Sequence, residues 1–293
     1  MSAMPASITG RAWGAVFLGS VGAMALLAMW APPKTAPNLF LWELGLMLLA
    51  LGAVGQALNG RWIGAAIDAR NRVSLSKLQM LLWTVLVVCS LLTVATYRIH
   101  DMAIPAAKAL VITLPPELLF AMGISAASFV ATPALLSLKA AETPTEEALA
   151  TTRAARGDDV VEYEGKVDRR SSPAGASLTD IFRGDEVGNN LSLDVSKVQQ
   201  LAISLLLLGI YAGMVYRELG LHPTMSDLPK LQESLVQLMG ISHASYLAYK
   251  AAPKTASGTA PGDAPATVDA APPGAIASVA AHGSQGIAKK DAV

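Results

Sequence analysis

The chain has one cysteine and four histidines in 293 residues. An intramolecular disulfide is therefore excluded, and no His/Cys cluster stands at the spacing a zinc site needs. Cys89 lies in the apolar run WTVLVVCSLLTV, where a thiolate would be poorly solvated. It reads as a small packing residue, not a nucleophile. Charge is also scarce: 15% of residues are charged, where a soluble domain carries about 25%. Net charge is zero, so no overall field favours nucleic acid or an acidic partner. P-loop, GxSxG, HExxH and paired metal-ligand spacings are all missing from the sequence. No catalytic, cofactor-binding or metal residue can be assigned, and the chain reads as a non-enzyme.

What the sequence has is apolar length: 53% of residues are hydrophobic, gathered into blocks. A bilayer-spanning helix needs about 20 apolar residues, because only internal hydrogen bonds satisfy its backbone there. Ala12–Trp30, Leu39–Leu58, Leu78–Tyr97 and Leu118–Leu138 qualify readily, and Val198–Tyr216 is polar only in its first turn. Leu231–Tyr249 is a doubtful sixth, holding Gln232, Glu233, Gln237, Ser242, His243 and Ser245. The first segment is too long for a signal-peptide core and has no clean small-x-small cleavage site, so it reads as an uncleaved helix. With the N-terminus inside, the outer loops hold only Lys34, Arg98, Lys108, Arg217 and Lys230, and Arg61, Arg70, Arg72 and Lys77 crowd one short inner loop. That distribution predicts both termini in the cytoplasm.

A ten-residue phrase occurs twice. MGISAASFVA (122–131) and MGISHASYLA (239–248) differ only at Ala126/His243, Phe129/Tyr246 and Val130/Leu247. Upstream of each stands a second matching pair, SLSKLQ before the third span and DVSKVQ before the fifth. Ser74 and Asp194 are the capping residues of those helices. Lys77 and Lys197 are positioned to reach lipid phosphates. Tyr97-Arg98 and Tyr216-Arg217 close the same two helices as aromatic and basic anchors at the opposite interface. The order cap, SKxQ, span, Tyr-Arg, loop, MGIS span predicts an internal duplication of a helical hairpin, helices 3–4 and 5–6. The sixth segment then inherits its assignment from the fourth. The two copies would share one orientation, related by an axis along the membrane normal.

The fold class expected is therefore all-α, a six-helix transmembrane bundle. Its parts are the first two helices (1–58), a first hairpin (59–138), a cytoplasmic insertion (139–195), a second hairpin (196–250) and a disordered tail (251–293). In the MGIS helices Gly123, Ala127 and Ala131, and likewise Gly240, Ala244 and Ala248, form small-xxx-small seams suited to close helix packing. Ser125, Ser242, His243 and Glu43 are the residues that could line a polar path. Glu43 lies about one turn inside the second span, either reaching water at the interface or forming an ion or proton site.

The insertion predicts a short helix in TPTEEALATTRAARG, capped by Thr143 with Pro144 at its first position. VVEYEGKV is a candidate strand, and SLTDIFRGDEVGNN a brief helix capped by Ser177 and stopped near Gly184. Asp180, Phe182, Arg183, Asp185, Glu186 and Asn189 form the surface predicted to dock a protein partner. From Ala251 the tail has no aromatics and is rich in Ala, Pro, Gly and Thr, a composition that cannot bury enough apolar surface to order itself.

The segments DARNRVSLSKLQMLLWT, LTDIFRGDEVGNNLSLDVSKVQQL and LMGISHASYLAYK resemble a family of uncharacterised bacterial multi-pass inner-membrane proteins. That family shares an S-[KR]-x-Q helix start followed by Trp-Thr, a cytoplasmic D-x-F-x-G-[DE]-E-x-G-N segment and a closing G-[IV]-S-x-x-x-Y-L helix. The resemblance covers about Asn59 to Lys250 and departs in the second copy, which has Ile203-Ser204 where the first has Trp83-Thr84. It implies a bacterial inner-membrane location and carries over no catalytic residue, and with no cofactor motif in the sequence no cofactor is expected. The function expected is a non-enzymatic membrane scaffold with membrane lipids, a cytoplasmic protein partner and further copies of itself as partners, and no nucleic acid. A channel or small-solute transporter built on the hairpins is the alternative.

Overall fold

The structure, a computed structural model, describes residues 6–30, 36–156 and 162–252. The predicted tail therefore lies almost wholly outside the described residues. The described chain is mostly helical: α1 (Ala6–Trp30), α2 (Ala36–Asn59), α3 (Leu75–His100), the single turn α4 (Ala106–Ala109), α5 (Pro116–Ala140), α6 (Glu146–Arg156), α7 (Val195–Leu221) and α8 (Glu233–Ala251). Five of these, α1, α2, α3, α5 and α7, are long and apolar enough to cross a membrane. The chain is thus multi-pass by helix length and composition. The helix α8 has 19 residues but falls short of that measure, as its polar residues predict.

The caps follow the sequence. Ser74 accepts a hydrogen bond from the Lys77 amide (3.4 Å), and Asp194 accepts from the Ser196 and Lys197 amides (3.1 and 3.3 Å). These bonds satisfy donors that the first helical turn leaves open. The bundle packs α2 against α1 and α3, α3 against α5 and α7, and α8 against α5 and α7. Its main core runs through Phe40, Trp83, Leu118, Leu207, Tyr211, Val215 and Met239.

Two polar ends close the bundle. At the end opposite the insertion, Arg98 is buried and its guanidinium donates to the carbonyls of Lys108, Ala109, Thr224 and Met225 (2.8–3.3 Å). The Thr113 amide donates to the Ser226 carbonyl (2.8 Å) and the Leu228 amide to the Thr113 carbonyl (3.0 Å), which joins the two loops of this end. Arg98 therefore clasps protein loops and is not a lipid anchor, and Tyr97 beside it is buried as well. Tyr216 and Arg217 are exposed, so the two Tyr-Arg pairs occupy unlike surroundings.

At the other end the insertion folds onto the helix termini. Its first helix is α6, and there the cap is Thr145, whose hydroxyl accepts from the Ala148 amide (3.3 Å), two residues after the predicted Thr143. Ala148 and Leu149 pack on Val187. The predicted single strand is a two-stranded antiparallel hairpin, β1 (Glu162–Glu164) and β2 (Val167–Arg169). Gly165 makes its turn at φ +57°, where an added Cβ would also collide with the Ala140 carbonyl at the end of α5. Ser177 and Asp180 form the predicted cap of a 3-10 turn at Leu178–Phe182.

Candidate functional site

The insertion delivers one carboxylate into the space between the helix ends. Asp185 is buried and receives the Arg70 guanidinium at 3.0 Å, the Lys197 ammonium at 3.0 Å and the Lys250 ammonium at 2.6 Å. These cations come from the loop before α3, the first turn of α7 and the last turn of α8. One side chain thus ties three otherwise separate elements to the insertion. Burial alone would raise its pKa, but Lys197, Lys250, Arg70 and Arg72 outweigh it and hold Asp185 well below the usual carboxylate range.

The neighbouring groups extend the network. Glu186 takes the Lys139 ammonium from the end of α5, and Lys139 also donates to the Ala252 carbonyl (2.9 Å). Arg72 meets Asp168 at 3.0 Å, and Asn190 donates to the other oxygen of Asp168 at 2.7 Å. Arg170 pairs with Asp180, which also accepts the Ser177 and Val73 amides (2.9 and 3.3 Å). Asp68 holds Arg70 from its far side at 2.7 Å. For Arg72 burial prevails and its pKa falls below the ordinary arginine value, with Asp185 and Asp168 working against that fall. Breaking one member of such a buried pair costs about 3–5 kcal/mol, because a charge is left uncompensated.

Two predicted roles are corrected here. Lys77 and Lys197 do not extend to lipid: Lys77 donates to the Ile67 carbonyl (2.8 Å), and Lys197 to the Arg183 carbonyl (2.6 Å) as well as pairing with Asp185. The residues expected to dock a partner are turned inward. Asp180, Asp185, Glu186 and Asn189 are buried, with Asn189 accepting the Glu186 amide (3.0 Å), and Phe182 and Arg183 are half-buried. Acidic residues beside helix ends rich in lysine find those lysines first. Gly184 is what lets the loop turn there, since an added Cβ would overlap the Asn189 side chain and carbonyl.

The MGIS helices are corrected too. Gly123, Ala127, Ala244 and Ala248 are exposed, and Ala131 and Gly240 only half-buried. The seams therefore look outward from the described bundle. The faces turned inward are Ser125, Ser128 and Thr132 on α5, and Ser242, His243, Tyr246 and Lys250 on α8. Apart from the shared Ser125/Ser242 position, the buried set of α8 is displaced by one residue along the repeated phrase, a rotation of about 100°. That shift buries His243, while its counterpart Ala126 stays exposed.

Of the four residues named for a polar path, three lie on the paired helices α5 and α8 and one does not. Ser125 lies on α5 and Ser242 and His243 on α8, which pack together. The Oγ atoms of Ser125, Ser128 and Ser242 and the Nε2 of His243 are buried without partners, while His243 Nδ1 lies 3.0 Å from the Met239 carbonyl. Glu43 lies elsewhere, between α2 and α3, against Thr93.

Sequence reasoning missed a buried amide pair. Gln200 Nε2 donates to Gln79 Oε1 (2.9 Å), and Gln79 Nε2 donates to Ser204 Oγ (2.8 Å), joining α3 to α7. The repeat aligns Gln79 with Gln199, yet Gln199 is exposed and the next residue takes the inner place. The doubled glutamine at 199–200 was the available signal.

Beside the network opens a cavity of about 440 Å³. Asp68, Arg70, Ser76 and Lys77 line one wall, Phe129, Pro133 and Leu136 of α5 a second, and Glu164 and Arg169 its rim. Pro133 has no N–H to give the Phe129 carbonyl one turn back. The cavity is thus charged on one side and apolar on the other. No group of three or more His, Cys, Asp or Glu suited to a metal ion occurs among the described residues. No protein-family profile matches the chain, and neither a curated protein nor a solved structure matches it.

Proposed function

We propose that the protein is a non-enzymatic, multi-pass membrane scaffold of the bacterial inner membrane. Its 139–195 insertion would be a fixed cytoplasmic platform for a protein partner. The observation that carries this reading is the position of Asp185, which bolts the insertion to the ends of three separate elements. A segment held that firmly presents a constant surface. Because the acidic loop faces inward, the partner surface moves to the exposed rim, where Tyr163 and Leu178 are 41% and 54% exposed. Membrane lipids would meet the half-apolar cavity beside Lys77, and the outward small-residue faces of α5 and α8 suit contact with further copies.

In this reading α8 is a sixth span and the hairpins are duplicated. The packing supports it: α3 pairs with α5 as α7 pairs with α8, and the pairs meet through α3–α7 and α5–α8. The one-residue rotation of α8 marks where the copies have diverged.

The test uses Tyr163→Ala and Leu178→Glu in the full chain purified from native membranes. A protein that co-purifies with the wild type should be lost from both variants while their thermal stability stays unchanged. If both variants retain every partner of the wild type, the platform reading fails. The second reading, a channel or transporter, is favoured by the buried unpartnered hydroxyls and His243 Nε2 on α5 and α8. It predicts solute or ion flux in liposomes that His243→Ala changes, and liposomes without flux would remove it.

A further inference from the structure

Glu43 stands about 10 Å along α2 from its first residue, at 1.5 Å per residue. Its side chain is 0% exposed, in a core built from Leu39, Phe40, Leu86 and Val94. Among the described residues no Lys, Arg or His pairs with it, and its Oε1 has no hydrogen-bond partner. The elements packed on α2 are α1, α3, the 3-10 turn at Gly64–Ala66 and α7. The ionisable groups that α3 and α7 bury are Cys89, Tyr97, Arg98, Lys197 and Tyr211. The two cations are held elsewhere, Arg98 by the carbonyls of Lys108, Ala109, Thr224 and Met225 and Lys197 by Asp185 and the Arg183 carbonyl. An ionised carboxylate so placed would cost many kcal/mol, and such a group ordinarily neutralises instead.

The hydrogen count at Thr93 is compatible with a neutral acid. The Thr93 hydroxyl lies 2.6 Å from Glu43 Oε2 and 2.9 Å from the Cys89 carbonyl one turn back. A hydroxyl has one hydrogen, and a backbone carbonyl can only accept. When the Thr93 hydrogen goes to Cys89, the 2.6 Å contact is attractive only if Oε2 carries a hydrogen of its own. The length suits an O–H···O bond.

We propose that Glu43 and Thr93 form a proton-binding site inside the membrane, with Glu43 a neutral carboxylic acid whose hydrogen is shared with Thr93 Oγ1. Binding adds one proton to one carboxylate and needs no other reactant. This assignment does not depend on the scaffold reading, and either can fail alone.

Infrared difference spectra of the full chain in liposomes, wild type minus Glu43→Gln, test it at neutral pH. The expected result is the loss of one carboxylic-acid C=O band, with no loss of carboxylate bands. Transfer to D2O should shift that band as the proton exchanges. Thr93→Val should move the band without abolishing it, since the acid remains and its partner is gone. Loss of carboxylate bands in place of the acid band would overturn the proposal. A band unmoved by prolonged D2O exposure would also overturn it, by showing a sealed structural acid and no binding site.

Discussion

Asp185 gathers buried ion pairs from three separate elements. Asp185→Asn would leave Arg70, Lys197 and Lys250 facing an amide in place of a carboxylate. We expect a destabilisation of about 3–5 kcal/mol, read as a lower denaturation midpoint of the purified protein. Removing one cation at the same time, in Asp185→Asn with Lys250→Met, should recover part of that loss. The buried amide pair offers a gentler case. Gln79→Leu alone leaves Gln200 with a buried unpaired amide and should cost about 1–3 kcal/mol, whereas Gln79→Leu with Gln200→Leu should cost less than the two single changes summed. Arg98→Lys tests the far end, because a lysine cannot spread donors to the carbonyls of both loops. Faster proteolysis at 102–115 and 222–232 is the expected result.

Among the elements, the helices were legible because apolar length and capping residues act locally. Ser74, Asp194 and Ser177 cap where the sequence places them. The orientation of each face was not legible. Glycine and alanine at four-residue spacing fit either a tight contact or an uncrowded outer surface, and only the position of the neighbouring helix decides between them. On α5 the neighbours meet the serine side, so Gly123 has nothing near it. The same limit concealed the destination of the acidic loop: Lys197 and Lys250 are 53 residues apart in sequence (250 minus 197), and no local pattern says that both converge on Asp185. Glu43 was visible as an isolated carboxylate in an apolar run, but its complete burial and its contact with Thr93 required the packing of α3. The hairpin turn allows a direct check on an element. Gly165→Ala adds a side chain at positive φ against the Ala140 carbonyl, and the expected outcome is release of β1 and β2 from the end of α5, seen as new protease cleavage near residue 165.

For the whole molecule, the insertion and the helical bundle belong to one compact unit and are joined by buried charge. That coupling gives stability a defined pH dependence. Asp185 is held well below its ordinary value, so its contribution is complete above the unfolded carboxylate pKa of about 3.9. It is lost as the pH falls below that value and through the folded one. Acid should therefore detach the insertion while the apolar spans stay helical, and Asp185→Asn should abolish that acid transition. The rigidity of the platform is tested most directly by hydrogen–deuterium exchange of the full chain in lipid at neutral pH. The amides of Asp168, Val187 and Asp194 donate to Asp185, Lys166 and Phe182 carbonyls at 2.9, 2.9 and 2.7 Å. They should exchange as slowly as amides near the ends of α3 and α7, and Asp185→Asn should release them together. Exchange in the wild type at the rate of an unstructured peptide would contradict the account.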